Sequence, residues 1–163
     1  MAMAGNKLTT ESLRHAGLLL AELAGHSLHH VGGGTKKQIY KDKEGHDVRL
    51  RTTNDRVLTV RGSDPDPSEA DLDIDGCDFV LIVMPTEKRQ QGLIEAYWVP
   101  TPVAANTLRS AHNAWLDSQP RTSRENRTFS VWFDTGVADS GMLRDKWRQY
   151  RIPFRITLER LSR

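Results

Sequence analysis

The chain has no apolar run of the roughly 18 residues that a membrane-crossing helix requires. Its longest candidate, LLLAELAG, carries Glu22, so a transmembrane span and a membrane partner are not expected. The N-terminal MAMAGNKLTTES shows no basic region followed by an apolar stretch and a small-residue cleavage site, which argues against a secretory signal. A single cysteine, Cys77, excludes an internal disulfide framework and fits a reducing, cytoplasmic location, with a buried inert thiol as the expectation. No GxSxG occurs, which removes the usual strand-to-helix serine nucleophile. GGGTKK lacks the GK[ST] ending of a phosphate loop and follows a predicted helix instead of preceding one, so its glycines read as helix termination. No lysine has Asp or Glu two positions before it. Internal repeats and low-complexity tracts are absent apart from one acidic stretch.

What is present fits one domain spanning 1–163. With 163 residues, 37% hydrophobic and 27% charged, the chain can bury one real core but not two comfortable ones. The formal charge of +2 hides an uneven distribution. Asp64, Asp66, Glu69, Asp71, Asp73, Asp75 and Asp78 form an acidic stretch without lysine or arginine, and the loop is bounded at 62–76. The rest is correspondingly basic, including a C-terminal extension at 136–163. Arginine outnumbers lysine, and its planar fork suits bidentate contact with phosphate or a base edge. Coding bias and a solvated surface are the bland account of the same composition.

Periodicity organises the chain. Thr9 or Thr10 caps a predicted helix whose Leu13, Ala16, Leu20, Leu23, Ala24 and Leu28 recur at helical spacing until Gly32, Gly33 and Gly34. Three short strand-like runs, 38–41, 48–52 and 57–60, read as a meander separated by KEGHD and TND. FVLIVM, Phe79 to Met84, is an unbroken apolar run of the kind buried on both faces, and is the predicted central strand. A strand over Leu93 to Val99 follows. Thr101 then caps a helix with Pro102 at its first position, running to about Asp117 with Val103, Ala104, Leu108, Ala111, Trp115 and Leu116 available for burial. The connector SQPRTSRENR precedes a strand over Thr128 to Phe133. Ser140 to Tyr150 suggests a last helix, and IPFRITLERL a strand or short amphipathic helix. The fold class expected is α/β, a mixed central sheet flanked by helices in the order α-β-β-β-β-β-α-β.

Two metal motifs fail on inspection. DLDIDG, Asp71 to Gly76, opens like a calcium loop, but its twelfth position is Ile82 instead of a bidentate glutamate. His26, His29 and His30 sit near the predicted end of the first helix, where capping accounts for them without zinc. Trp98, Trp115, Trp132 and Trp147 are expected in the core.

The segment HDVRLRTTNDRVLTVRG places Arg49 and Arg51 on one face of a predicted strand, with Arg61 on the next run. These three, with Arg121, Arg124 and Arg127 of the connector, are the candidate nucleic-acid-binding residues. Ordinary ion pairing of Arg49 and Arg51 with Asp47, Asp55 or the acidic loop is the alternative.

The stretch from Ile39 to Leu108, together with the helix bearing Glu22, resembles the core of the PD-(D/E)XK nuclease-like superfamily. The features that carry the resemblance are the VRLRT strand, where relatives often read VQVKT, then CDFVLIVM and AYWVPTPVAANTL. It implies a restriction-endonuclease-like sheet and Mg²⁺ held by carboxylates, with a lysine near the attacking water. Here the acid and lysine positions fall on Arg49 and Arg51, and guanidinium groups repel Mg²⁺. An active form would need Glu22, Asp47 and Arg49 instead, yet arginine stays protonated and cannot act as a base.

The expectation is therefore a nucleic-acid-binding protein, for DNA before RNA, with a degenerate nuclease-like fold and no cofactor. By the resemblance it would serve a DNA-processing, defence or mobile-element system, with a protein complex as a further partner. The alternatives are an active Mg²⁺-dependent endonuclease and a protein-interaction module or inhibitor without a nucleic-acid role.

Overall fold

The computed structural model describes residues 9–32, 38–61, 76–88, 92–117, 128–135 and 142–157. Helix α1, Thr10–Leu23, starts where Thr9 accepts the backbone N–H of Ser12 and the Ser12 hydroxyl accepts that of Thr9, a reciprocal cap. Its buried stripe, Leu13, Ala16, Gly17, Leu20 and Ala21, packs on one face of a mixed sheet.

That sheet has six strands in the order β1-β2-β3-β5-β6-β8. They are β1 (His29–Gly32), β2 (Gln38–Lys41), β3 (Asp47–Thr52), β5 (Phe79–Pro85), β6 (Leu93–Pro100) and β8 (Ile156–Thr157). Neighbours run antiparallel except β3 and β5, which are parallel with Leu50 opposite Leu81. β5 is the central strand, buried from Val80 onward on both faces, as its unbroken apolar run predicts. Val48, Leu50, Leu81, Val83, Ile94 and Ala96 face α1. Val80, Ile82, Met84, Tyr97 and Val99 face the other way, under helix α2 (Thr101–Asp117) and a second, two-stranded sheet.

That small sheet pairs β4 (Val57–Arg61) with β7 (Thr128–Trp132), antiparallel. It corrects the expected meander: β4 leaves the main sheet after Thr52 and its place beside β3 is taken by β5. Leu58 and Val131 explain the departure, because they cap the α2-side core instead of extending a sheet edge. Other boundaries also shift. The first helix ends at Leu23, with Gly25 at φ 94° turning the chain, so His29 and His30 lie on the exposed strand β1 and not on a helix end. The last helix contracts to α3 (Leu143–Lys146) and a 3₁₀ turn, Arg148–Tyr150, and IPFRITLERL yields the two-residue β8. No helix among the described residues is long and apolar enough to cross a membrane.

Candidate functional site

A cluster of charged side chains lies where the end of the small sheet, β6 and the C-terminal segment meet. The segment MLRDKWRQYRIPFRI alternates anchors and cations. Leu143 and Trp147 sink into the α2-side core, and Ile152 and Ile156 into the α1-side core. Trp147 is further fixed by its Nε1–H donating to Thr107 on α2 and by an edge contact with Phe133. The intervening Arg144, Arg148, Arg151 and Arg155 consequently line one cavity of about 440 Å³, with Arg56.

Arg56 closes the floor. It ends the turn between β3 and β4 at φ 57°, a left-handed conformation that a bulky side chain adopts only against a steric cost. The guanidinium donates from Nη1 to Glu95 Oε2 at 2.8 Å and to the Pro85 carbonyl, while Nε and Nη2 grip Asp134 in a bidentate pair. Burial disfavours its charge, but the hydrogen bonds to Asp134 and Glu95 outweigh that, and the group is held above its ordinary pKa. Glu95 in turn accepts from Arg155 Nε at 3.1 Å and lies 3.7 Å from Arg151. Tyr97, two residues on and hence on the same sheet face, places its hydroxyl 3.5 Å from Glu95. Burial first, and then the Glu95 charge, raises the Tyr97 phenol, which therefore stays a donor at neutral pH. Nearer the mouth, Arg144 approaches Asp134 at 3.5 Å and Arg148 pairs with Asp145 at 3.0 Å. Five arginines thus face three carboxylates, Glu95, Asp134 and Asp145.

The residues predicted from sequence are distributed differently. Arg49 is 7% exposed and donates from Nη1 to the Leu50 carbonyl, so it is built into the sheet's α2-side face. Arg51 is half-buried on the same strand. Arg61 ends β4, opposite Thr128 in the small sheet, and is separated from β3 by the departure of β4. Arg121, Arg124 and Arg127 lie outside the described residues, as does the acidic loop through Asp75. Glu22 is exposed on α1, which covers the Val48 and Leu50 face, whereas Asp47 belongs to the opposite face and pairs with Lys41 at 2.9 Å. The two are not brought together. Mg²⁺ therefore finds no fit at the four positions the resemblance would assign: guanidinium groups stand at two, Asp47 is salt-bridged, and Glu22 lies across the sheet from it.

A second, smaller pocket of about 190 Å³ lies beside the β2–β3 hairpin. His26 stacks on Trp98 with ring centroids 3.9 Å apart, and Phe79 tilts against the same indole at 5.1 Å. Asp42, Glu44 and His46 bring ligand-type atoms within 4.8 Å of one another. Asp42 is committed to the turn, however, accepting the backbone N–H groups of Glu44 and His46 through Oδ1 and contacting the His46 ring through Oδ2. Hairpin closure accounts for the group without a metal.

No protein-family model matches the chain, and neither a curated protein nor a solved structure matches it.

Proposed function

We propose that this protein binds nucleic acid through the arginine-lined cleft and holds the phosphate backbone without cutting it. The observation that carries the reading is the convergence of Arg56, Arg144, Arg148, Arg151 and Arg155 on one cavity with only three carboxylates to balance them. A concave surface with an excess of guanidinium groups attracts phosphate by charge and matches its geometry by bidentate donation. The buried Arg56 and Glu95 make the floor rigid, and the more exposed Arg144 and Arg148 supply groups that can turn to a ligand.

The finer fold reading, a PD-(D/E)XK nuclease-like domain with a degenerate active site, is part of this proposal. The run of a first helix, hairpin strands, the buried β5, β6 and α2 supports it. The side-by-side placement of β3 and β5 also supports it. The non-cutting form is favoured by the separation of Glu22 from Asp47 and by the arginines on β3. By the same resemblance DNA is the expected partner, and a role in DNA processing, defence or mobile elements follows from it alone.

The test is binding of labelled single- and double-stranded DNA and of RNA across ionic strength. Affinity should fall linearly on a log–log plot, with a slope of about −0.7 to −0.9 per phosphate contacted. Arg144→Ala with Arg148→Ala should flatten that slope by about two contacts. Affinity insensitive to salt, or metal-dependent cleavage abolished by Glu22→Ala or Asp47→Ala, sinks the proposal.

A further inference from the structure

The cleft differs from a groove that tracks a strand. A continuous backbone presents one negative charge per internal phosphate, and proteins that follow it string cations along an open channel. Here the arginines line one open concavity of about 440 Å³, a volume in the range of a site for one small ligand. Its floor is closed by Arg56, Glu95 and Tyr97, all buried.

Charge narrows the ligand further. Five lining arginines less three lining carboxylates leave an excess of two positive charges among the described lining residues. A phosphomonoester carries about 1.5 to 2 negative charges at neutral pH, against one for an internal diester. The arginines also divide by task. Arg56 and Arg155 are anchored on the buried Glu95 at 2.8 and 3.1 Å. Arg148 is 78% exposed and Arg144 49% exposed, and their carboxylate partners are themselves exposed. Such exposed pairs contribute little and exchange readily for a stronger anion. Arg151, at 3.7 Å from Glu95, is beyond hydrogen-bond length and completes the set of three that can turn inward.

Resting on the reading of the cleft as the phosphate-binding site, we propose that it takes a single nucleotide phosphomonoester, the phosphorylated end of a strand, in preference to internal phosphodiesters. Arg144, Arg148 and Arg151 grip the terminal oxygens, and Arg56 supplies fixed positive charge beneath them.

The experiment uses the full chain and one oligonucleotide sequence in three forms, 5′-phosphorylated, 3′-phosphorylated and unphosphorylated, with a nucleoside 5′-monophosphate as competitor. Affinity is read by fluorescence anisotropy at fixed salt. The expected result is binding at least tenfold tighter to a phosphorylated end than to hydroxyl ends, competed by the mononucleotide. Arg144→Ala with Arg148→Ala should lower affinity for every strand but at least tenfold more for the phosphorylated ones, so that the preference is erased. Both side chains are exposed, so circular dichroism should show the fold intact. Mononucleotide binding without strand binding also supports a phosphomonoester site, with a free nucleotide as its source, and overturns the nucleic-acid reading. Salt-dependent binding with equal affinity for all three strands overturns the phosphomonoester inference and leaves the nucleic-acid reading standing. Binding of none of the ligands overturns both.

Discussion

Arg56 Nη1 lies 2.8 Å from Glu95 Oε2, with both side chains only 5% exposed. The pair joins the turn before β4 to the middle of β6, and through Asp134 it also reaches the end of β7. Removing one partner of a buried ion pair typically costs about 3–5 kcal/mol, because the other charge is left without compensation. Glu95 would keep Arg155, so Arg56→Met is expected to destabilise by about 3 kcal/mol, the lower end of that range. Arg56→Met with Glu95→Leu should recover part of the loss. Urea unfolding of Arg56→Met, Glu95→Leu and the double variant checks this, and a double variant as unstable as the sum of its singles would count against a coupled pair.

Much of this frame is legible in the sequence, for identifiable reasons. FVLIVM announces a strand buried on both faces, and Thr101-Pro102 announces the start of α2, because each pattern is local. Strand β1 is not legible: His29, His30 and Val31 are all exposed, so no burial alternation marks them. The run VLTV reads as a strand whichever sheet receives it, and only tertiary packing of Leu58 and Val131 sends it to the small sheet. The cleft is half legible. Arg144, Arg148, Arg151 and Arg155 recur at intervals of four, three and four between the apolar anchors Leu143, Trp147, Ile152 and Ile156, a signal that was available. The pairing of Arg56 with Glu95 spans 39 positions, and nothing local announces it.

Gly17 on α1 is a contact residue and not a weak point of the helix. A Cβ there would stand 2.3 Å from Val83 Cγ2, on a fully buried and rotationally stiff side chain of β5. Alanine would add about 1 kcal/mol of helix propensity. Overpacking of about 1–3 kcal/mol opposes it. Gly17→Ala should therefore lower the urea midpoint, and Gly17→Ala with Val83→Ala should be less damaging than the two separately summed. A stabilised single variant would show that α1 can lift from the sheet.

The reciprocal cap at Thr9 and Ser12 holds the start of the same helix, with bonds of 3.0 and 2.9 Å. Thr9→Ala should cost about 1 kcal/mol, while Thr9→Asp, which preserves the acceptor, should cost far less. Thermal unfolding of the pair of variants separates loss of the cap from loss of the side chain.

The His46–Asp42 contact sets a pH dependence for the β2–β3 hairpin. The Asp42 hydrogen bond, at 2.9 Å, raises the His46 imidazole above its ordinary value, with burial opposing and the charges of Asp42, Asp78 and Glu44 assisting. Burial pushes the Asp42 carboxyl up, but the backbone N–H and ring of His46 and the N–H of Glu44 outweigh it and hold it low. The signs follow from linkage. The His46 contribution is complete below about pH 6.5 and disappears as pH rises through its raised value. The Asp42 contribution is present above about pH 4 and disappears as pH falls through its depressed value. The hairpin is thus held most firmly in the mildly acidic window between them. Following the His46 ring protons by NMR tests the cause: Asp42→Asn keeps an acceptor for the turn but removes the charge, and should bring the midpoint down toward about 6.5. A midpoint unmoved by that substitution would assign the shift to Glu44 and Asp78 instead, and Glu44→Gln would then be the variant that lowers it.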